Sequence, residues 1–586
     1  MMELNGIERE MSMSYLNRYM KRYRIPFFAA LAFLTLEALC DLIQPAVMSR
    51  VVDVGIRNRD MSYVLHMGFI MLGITGVGAI GAVGRNILSS VVSQHFAADL
   101  RMDLYKKIQT LSYAAARRFD TGSLVTRLTN DVTQLVNFAN GLMRIFAKAP
   151  ILCAGSIIMA ILLDPPAGLV LVAVVPCVAV IILIEIRRGY PLFSRVQSAV
   201  DALNEKIRTY LQTIRVVKAF NRFKEEKGRF EEKNTGLCKA QAHAMKTMAL
   251  FSPSVLMVVN LGIVVVLWMG GLRVNSGALE VGKVIAFLNY MTQISFALTT
   301  VFMVFVRFVR ARASAERVGE VMNAEDTMKE PVSPISLKKK TSLRFSHVSF
   351  SYKTGGEDRA LKDISFSCDA GQTVGILGST GSGKSTLVNL IPRFYDSTAG
   401  SIEVCGVDIQ QANTEELRKN VAMVPQKSTL FSGTILENLR WGDQNATLEQ
   451  VQEASNIAQA HEFISNLPNG YETYLGQGGV NLSGGQKQRL AIARALLRHP
   501  RIFILDDCTS AVDALTEKKI RAGLSALPGA PICIVIAQRI ASVMQANRIL
   551  VMEDGKVVGS GTHQELLKSC MTYRDICASQ SGRVGA

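Results

Sequence analysis

Six long apolar stretches constrain this chain more than any other feature of its sequence. They lie near residues 25–47, 64–86, 138–163, 166–188, 248–271 and 281–307. Each is long enough to cross a hydrocarbon layer of about 30 Å, which takes about 20 residues of helix. One such stretch alone could be a buried helix of a soluble protein. Six in succession, flanked by basic residues, predict a membrane-spanning helical domain.

The spacing of the stretches predicts how the spans are connected. Short links join the first span to the second, the third to the fourth and the fifth to the sixth. About fifty polar residues fill each of the two longer intervals, enough for paired helices that project about 40 Å beyond the lipid at about 1.5 Å per residue. Excess positive charge places these projections, and both termini, in the cytoplasm. We expect force to pass through their tips, near Phe119–Arg127 and Tyr210–Phe220.

Composition excludes other classes of protein. The 586 residues are 49% hydrophobic and 19% charged, with a net charge of +17. The basic residues flank apolar spans and accompany no recognition motif, so we expect no nucleic-acid partner. The ten cysteines are scattered without metal-site spacing, and we expect reduced thiols and neither a metal nor a disulfide.

The sequence divides into four segments. Residues 1–24 lack the pattern of a secretory signal and predict a cytoplasmic amphipathic segment, in which Tyr15, Leu16, Tyr19 and Met20 alternate with Arg18, Lys21 and Arg22. Residues 25–321 form the predicted six-helix domain with its long cytoplasmic extensions. A polar linker follows at 322–340. From 341 to 586, short β-rich runs alternate with helices, which is typical of an α/β domain.

Polar side chains inside the spans are expensive to bury in lipid and are candidates for function. Glu37 and Asp41 lie one turn apart on one face of the first span. Two interpretations are open. The pair has a function, as an acidic patch or as part of an outer gate, or it is neutralised by basic or amide partners across the bundle. Further candidates for lining a cavity are Asn260, Asn289, Tyr290 and Gln293.

The firmest site in the sequence is a glycine-rich loop after a predicted strand at 373–377. It matches the pattern G-x-x-x-x-G-K-[ST] in its residues Gly378, Ser379, Thr380, Gly381, Ser382, Gly383, Lys384, Ser385 and Thr386. Backbone N–H groups of such a loop surround phosphate oxygens, and the following helix N-terminus adds positive charge. Lys384 is expected to reach the β- and γ-phosphates of ATP, and Ser385 to hold Mg²⁺.

An acidic strand completes the predicted metal site. The apolar run from Arg501 ends in Asp506, placed to hold Mg²⁺ through water, and Asp507, placed where a base that activates water belongs. About twenty residues earlier a glycine-bearing turn opens a helix at 487–497, and its exposed N–H groups predict a second anion-binding helix start. This turn contains Leu482, Ser483, Gly484, Gly485 and Gln486.

Together these residues resemble the ATP-binding cassette family, and the six spans resemble its exporter branch. Residues 482–486 are identical to the family signature. The resemblance implies that Tyr352 stacks on adenine, that Gln426 senses the γ-phosphate and Mg²⁺, and that Asp513 lies in a loop at a dimer interface. The implied fold is the type I exporter transmembrane domain fused to a cytosolic α/β P-loop nucleotide-binding domain. A dimer is also implied, because each ATP lies between one chain's phosphate loop and the other chain's signature.

Two positions depart from the family pattern. Asp507 stands where the family has a catalytic glutamate, and Gln538 stands where it has a histidine that contacts the γ-phosphate. Because a misplacement of about 1 Å can cost about 10²-fold in rate, we expect this pocket to bind ATP and hydrolyse it poorly. The chain then resembles the degenerate-site subunit of heterodimeric multidrug exporters of the bacterial plasma membrane, which favours Asp41 as a gate residue.

The resemblance leaves other functions open. The partner is expected to be a different half-transporter with the consensus glutamate and histidine, and the cargo an amphipathic compound moved through membrane lipid. One alternative is a homodimeric exporter in which Asp507 is a slow base, and another is an exporter of lipids or peptides. The third is a nucleotide-gated regulator or channel without net pumping.

Overall fold

The computed structural model describes residues 18–581 except 20, 326, 327, 329 and 353–358, and it leaves out the side chains of 299, 301–303, 305, 306 and 309. The chain forms two compact units. The first comprises Met1–Thr110 and Phe119–Ala324, and the second comprises Leu111–Arg118 and Glu325–Ala586. The break after Ala324 lies close to the predicted end of the membrane domain at 321. The short segment Leu111–Arg118 was expected in the first unit and instead belongs to the second.

The first unit is built from long helices. Six helical stretches in the described residues are long and apolar enough to cross a membrane, as predicted: Arg24–Ile56, Met61–Thr110, Thr121–Leu163, Pro165–Ala219, Phe223–Asn275 and Val281–Leu298. We label the helices of the first unit, and the short helix inserted from the second, as α1 Arg24–Arg50, α2 Met61–Thr110, α3 Tyr113–Ala116, α4 Thr121–Thr126, α5 Val132–Gly141, α6 Lys148–Leu163, α7 Pro165–Ala219, α8 Phe223–Met248, α9 Phe251–Asn275 and α10 Val281–Met322.

Three π-helical segments interrupt these helices. They lie at Val51–Ile56, Arg127–Asp131 and Leu142–Phe146. The second of them carries a buried ionic cluster, in which Asp131 accepts hydrogen bonds from Ser314 and Arg317 of α10. Arg127 of the same segment donates to the Arg317 carbonyl at 2.8 Å. The cluster therefore fastens the start of the third span to the last helix of the unit.

The tips of the projecting helix pairs differ from the predicted positions. In the first pair α2 ends at Thr110, the short helix α3 follows, and a new helix begins at Thr121, so the non-helical residues 117–120 overlap the start of the predicted tip Phe119–Arg127, while α3 lies before it. In the second pair α7 continues to Ala219 and α8 begins at Phe223, so residues 210–219 are helical and the turn is shorter than predicted. No glycine or proline marks either turn, and this is why the sequence located them poorly.

A capped and charged link joins the third span to the fourth. Asp164 accepts a hydrogen bond from the Ala167 backbone N–H at 3.2 Å, as the N-cap of α7, while prolines occupy the first two helical positions. The same carboxylate forms an ion pair with Arg273 near the end of α9. One buried side chain therefore starts the fourth span and fixes the end of the fifth.

The second unit contains the predicted α/β domain. Its strands are β1 Ser342–Phe350, β2 Leu361–Asp369, β3 Thr373–Gly378, β4 Ala399–Val404, β5 Val407–Asp408, β6 Val421–Val424, β7 Gly433–Thr434, β8 Tyr474–Leu475, β9 Ile502–Asp506, β10 Ile532–Ile536, β11 Arg548–Glu553 and β12 Lys556–Gly561. Its helices, after α3, are α11 Lys384–Leu390, α12 Thr414–Asn420, α13 Ile435–Arg440, α14 Leu448–Ile457, α15 His461–Ser465, α16 Gly484–Leu496, α17 Ala514–Ser525, α18 His563–Ser569 and α19 Met571–Ser581.

The main sheet of this unit positions the site. Its six strands run in the order β12-β11-β3-β10-β9-β6, parallel except for β12. A second, antiparallel sheet has the order β2-β1-β4-β5. In the main sheet Ile536 pairs with Ile376 on one side and with Asp506 on the other. The carboxyl ends of β3, β10 and β9 therefore meet along one edge, where parallel sheets bind ligands.

We predict that Asp164→Ala destabilises the membrane unit more than Asp164→Asn does. Alanine removes the N-cap, worth about 1 kcal/mol, and also leaves the partly buried Arg273 without its carboxylate, for a total of about 2–3 kcal/mol. Asparagine keeps the capping oxygen and loses only the ion pair. Thermal unfolding of the detergent-purified chain measures both, and equal melting temperatures for the two variants would contradict this role.

Candidate ATP-binding site

The phosphate loop follows β3 and leads into α11. Gly381 and Gly383 have φ angles of 86° and 98°, in the left-handed region that favours glycine. A Cβ atom at Gly383 would lie 2.8 Å from the Ala360 carbonyl oxygen. The backbone therefore forms a tight concave turn that side chains would fill, and its shape fits phosphate oxygens.

Lys384 lies folded into this turn. Its Nζ donates to the carbonyl oxygens of Gly378 at 2.9 Å and Ser379 at 2.6 Å, and approaches the Ser382 hydroxyl at 3.4 Å. Burial lowers the pKa of this ammonium group, while the nearby carboxylates of Asp506 and Asp507 oppose that shift. The ammonium group is thus held at the mouth of the loop by neutral acceptors that a phosphate can replace.

The adjacent strand end supplies the buried carboxylate. Asp506, the last residue of β9, is 5% exposed and accepts a hydrogen bond from the Ser385 hydroxyl at 3.1 Å. Burial raises the pKa of Asp506. The described residues contain no group of three His, Cys, Asp or Glu side chains that could hold a metal alone. The Ser385 and Asp506 oxygens fit Mg²⁺, which is usually bound by one or two carboxylates together with substrate phosphates.

Asp507 is held by two amide side chains. The Asp507 Oδ2 atom accepts hydrogen bonds from Gln538 Nε2 at 2.9 Å and from Gln426 Nε2 at 3.3 Å. Burial raises the pKa of Asp507, and the two glutamine contacts oppose the shift. Its φ of 46° lies in the left-handed region. The two positions that depart from the family pattern are therefore in direct contact.

A cavity of about 310 Å³ brings most predicted site residues together. Its lining includes eleven of them: Tyr352, Thr380, Gly381, Gly383, Lys384, Ser385, Thr386, Gln426, Asp506, Asp507 and Gln538. Ala360 and Ile536 complete it. Charged and polar groups occupy one end, and an aromatic ring lies at the other. The cavity therefore suits a ligand that carries both phosphates and a flat ring.

The aromatic end is built around Tyr352. Its hydroxyl lies 3.0 Å from the Thr386 hydroxyl on α11, and its ring is 51% exposed. The edges of the Phe350 and Tyr395 rings support it, with ring centroids 4.8 and 5.2 Å away. An exposed ring held in place on one side offers its other side for stacking.

The signature residues do not line this cavity. Ser483 caps α16 by accepting from the Gln486 backbone N–H at 3.3 Å, and the Gln486 side chain accepts from the Ser483 N–H at 2.8 Å. Leu482 is buried, whereas Ser483 and Gly484 are exposed. Asp513 is exposed as well and caps α17. These exposed groups are therefore separate from the residues that line the cavity.

Comparison with known proteins shows which family has this arrangement. Residues 27–298 match the profile described as ABC transporter transmembrane region, and residues 361–510 match ABC transporter. Two uncharacterized ABC transporter ATP-binding proteins, YfiB of Bacillus subtilis and Rv1273c of Mycobacterium tuberculosis, are each 39% identical over 97% of this chain and 98% of their own length. The chain belongs to the ABC transporter family.

A solved structure shows which branch of the family the fold resembles. The structure of a bacterial Atm1-family ABC exporter with ATP bound aligns with a TM-score of 0.81 and 25% identity, over 95% of this chain and 99% of that one. This protein is therefore a multi-span ABC exporter with an ATP-binding domain, and ABC exporters function as dimers in the membrane. The predicted fold class and family are confirmed.

In this ABC exporter, two groups of residues contact the site and were not predicted from the sequence. Gln488 of α16 is buried and joins the signature helix to the loop before Asp513, since it donates to the Ser510 hydroxyl at 3.3 Å and accepts from the Ala511 N–H at 3.0 Å. Its position two residues after the signature was the available signal. Ser510 also lines a neighbouring cavity of about 360 Å³ on which Asp507 and Gln538 border.

A second group of missed residues connects the first tip to the aromatic end of the pocket. Arg117, next to α3, donates to the Tyr395 hydroxyl at 3.3 Å, and the Tyr113 ring lies 5.7 Å from the Tyr395 ring. Tyr395 is 6% exposed and also contacts Tyr352. A chain of aromatic contacts therefore runs from the tip to the ring expected to stack on adenine.

The acidic residues of the first span lie among basic partners. The Lys148 ammonium is 2.7 Å from Glu37 and 2.9 Å from Asp41, and Arg85 is 2.9 Å from Glu37. Both carboxylates are thus neutralised across the bundle, which is one of the two alternatives that the sequence left open. A role for Asp41 in gating stays a prediction.

The other polar residues predicted to line a cavity in the spans fall into two pairs, one bonded to the first span and one exposed. Gln293 donates to the Asp41 carbonyl at 3.0 Å, and the buried Tyr290 donates to the Leu42 carbonyl at 2.8 Å. These two side chains fasten the sixth span to the first. Asn260 and Asn289 are exposed, and only they remain available to a cargo or to lipid.

We predict that Lys384→Ala weakens ATP binding about 100-fold, because a charge-assisted contact with phosphate is lost in a partly buried site. Titration with a fluorescent ATP analogue measures this. Lys487→Ala serves as the control, since that lysine donates only to the Gly478 carbonyl on the surface, and it should bind as the unmodified protein does. Full affinity in Lys384→Ala would refute the assignment of the phosphate loop.

We also predict that Tyr395→Leu weakens ATP binding about three- to tenfold, because the Tyr352 ring loses an edge contact worth about 0.5–1.5 kcal/mol. Tyr395→Phe keeps the ring, loses only the bond to Arg117, and should retain affinity. Tyr471→Phe, which removes a hydroxyl contact to His461 in the same unit, is the control. Equal affinity in Tyr395→Leu and Tyr395→Phe would show that the ring contact has no part in nucleotide binding.

Proposed function

We propose that this chain is one subunit of a heterodimeric exporter of hydrophobic or amphipathic compounds. Its own pocket binds ATP with Mg²⁺ and hydrolyses it poorly, while its signature completes an active pocket on a different half-transporter. The family assignment supports export and ATP binding. The asymmetry between the subunits is inferred from the residues of the pocket.

One observation carries the proposal: a single oxygen of Asp507 accepts from both Gln538 and Gln426. A general base must lie within about 3 Å of the water that it activates, so its position decides whether it can act. Aspartate is one methylene shorter than glutamate, and the amide of Gln538 holds the carboxylate while lacking the titratable imidazole of a histidine. The pocket thus has a shorter base, and an amide stands where the family has a histidine. Both substitutions are expected to slow hydrolysis.

The signature supports the second half of the proposal. Its capping box is complete, and it forms the N-terminus of α16, a helix of thirteen residues. Backbone N–H groups are exposed at this end. Such an end binds phosphate. Because these groups lie outside the chain's own cavity, they are available to a nucleotide held by another subunit.

The second projecting helix pair supports a partner as well. Of residues 190–248, only Val217 and Ala244 are buried. Exposed apolar side chains along it include Leu211, Val216, Phe220 and Phe223. Apolar side chains on a projecting cytoplasmic helix pair are unfavourable in water and indicate a contact with another chain.

The transport cycle follows from these parts. Binding of ATP between two subunits favours the closed arrangement of the nucleotide domains, and the projecting tips carry that change to the spans. A ligand must favour one state by about 5.5 kcal/mol to reverse a population from 1:99 to 99:1. Hydrolysis at the partner's site then resets the pump. In this chain Lys384, Ser385 and Asp506 hold the phosphates and metal, and Asp507 contributes little to proton transfer.

We predict that Asp507→Glu combined with Gln538→His raises the ATPase rate of the chain in its dimer at least about tenfold, because the base regains its reach. Steady-state phosphate release is measured on the copurified pair in which the partner's catalytic glutamate is changed to glutamine, because an active partner pocket would otherwise dominate the total rate. Asp554→Glu is a matched control, since Asp554 is also an aspartate with positive φ in a turn of the same unit, and it should leave the rate unchanged.

Three results would contradict this proposal or favour one of the alternative functions. Turnover near 1 s⁻¹ by the purified chain alone, an ordinary enzymatic rate, would indicate a homodimeric pump with Asp507 as an adequate base. An unchanged rate in the double variant would show that the pocket is not limited by these residues. Failure to move a dye uphill into sealed vesicles would indicate a channel, because a channel cannot sustain a gradient.

A further inference from the structure

A second cavity, of about 290 Å³, lies beside the start of the first span and shares no residue with the ATP pocket. Aromatic and aliphatic side chains from three helices form most of its wall, among them Phe27, Phe96, Phe138, Leu142 and Met143. Ligand sites usually measure about 300–1,000 Å³. A cavity at the lower limit of this range, with an apolar wall, has room for part of one hydrocarbon chain.

The cavity reaches the surface of a membrane-spanning helix. Phe28 lines it and is 65% exposed, and the neighbouring Ile25 is 76% exposed. Both belong to the first turns of α1, where the span begins on its cytoplasmic side. A hydrocarbon chain can therefore enter from the inner leaflet without passing through water.

Two tyrosines keep the cavity wall apolar. The Tyr19 hydroxyl donates to Asp103 at 2.7 Å and the Tyr23 hydroxyl donates to Asp99 at 2.6 Å. The rings of both tyrosines line the cavity. Their polar atoms are thus satisfied by α2, and the rings are left to contact an apolar ligand.

The charge at the rim is positive. Arg24 is the one charged residue among the described residues that line the cavity. Arg18, Lys21 and Arg22 precede it in the chain, Asp99 and Asp103 lie opposite on α2, where they accept from Tyr23 and Tyr19, and Arg22 pairs with Asp99 at 2.7 Å. Four cations against two carboxylates leave a positive surplus at the depth of the lipid headgroups, and basic groups in that position attract anionic lipid.

We propose that this cavity binds an anionic phospholipid of the inner leaflet, with one acyl chain between Phe27, Phe96 and Phe138 and the headgroup phosphate on Arg24. The lipid fastens the segment before the first span to α2 and α5. This site is separate from the nucleotide pocket, and the proposal stands whichever partner the chain has.

Native mass spectrometry of the full chain in uncharged detergent tests the proposal. The probes are phosphatidylglycerol and phosphatidylcholine with identical acyl chains. We expect the first phosphatidylglycerol to bind about tenfold more tightly than the first phosphatidylcholine. Both lipids carry the phosphate, but phosphatidylglycerol has a net negative charge, whereas the choline cation of phosphatidylcholine cancels that charge and is repelled by the basic rim. Equal affinity of the unmodified chain for the two lipids would overturn the proposal.

Four variants separate the contribution of the headgroup from that of the acyl chain. Arg24→Gln should abolish the preference for phosphatidylglycerol, whereas Arg222→Gln, at an exposed tip of the same unit, should keep it. Ala139→Phe places a ring inside the cavity and should reduce binding of phosphatidylglycerol about tenfold. Arg24→Lys, which retains the charge, keeps the preference and shows that loss in Arg24→Gln does not reflect misfolding.

Two further results would contradict the site. Retention of the lipid preference in Arg24→Gln would place the headgroup elsewhere. Equal competition by glycerol 1-phosphate, which has the anion without an acyl chain, would show that the apolar wall contributes nothing. ATP titration of the Arg24→Gln variant should give an unchanged affinity, so a failure of the lipid proposal is distinguishable from a failure of the nucleotide site.

Discussion

The edge of one parallel sheet is the constraint on which the nucleotide site depends. The phosphate loop follows β3, Asp506 ends β9, Gln538 follows β10 and Gln426 follows β6. Because neighbouring parallel strands end at one edge, residues distant in sequence are brought within hydrogen-bond distance. Asp507 and Gln538 meet at 2.9 Å for this reason. A change at either position alters the same contact, so the two departures from the family pattern act as one.

The nucleotide site could be predicted almost entirely from sequence, since its chemistry is carried by short motifs with fixed local geometry. A loop such as Gly378–Lys384 specifies its own backbone, and a strand that ends in two aspartates specifies their position. Tyr395 and Gln488 could not be predicted in the same way. Their roles arise from contacts with distant elements, Arg117 in one case and the loop at Ala511 in the other, and no local pattern encodes such a contact.

In the membrane unit the sequence predicts the architecture better than the role of individual residues. The number of spans follows from the length of the apolar stretches alone, but whether a charged side chain is paired depends on how the helices pack. Glu37 and Asp41 share a helix face and suggested an acidic surface, yet Lys148 and Arg85 from two other helices neutralise them. In lipid an unpaired charge is costly, so pairing across helices is the more stable arrangement. This face of the first span is therefore less acidic than the sequence suggested.

A pocket that retains ATP has a thermodynamic use even when it turns over slowly. A nucleotide that binds the closed arrangement more tightly than the open one stabilises it by an amount that grows with the logarithm of its concentration over its dissociation constant. If ATP in this pocket stabilises the closed arrangement throughout the cycle, hydrolysis at the partner's site removes only the stabilisation that the partner's own nucleotide supplies. The contact chain from Tyr352 through Tyr395 to Tyr113 connects the pocket to the first tip. If the pocket hydrolyses ATP slowly, as proposed, these contacts let its bound nucleotide hold the dimer together while the partner's site turns over.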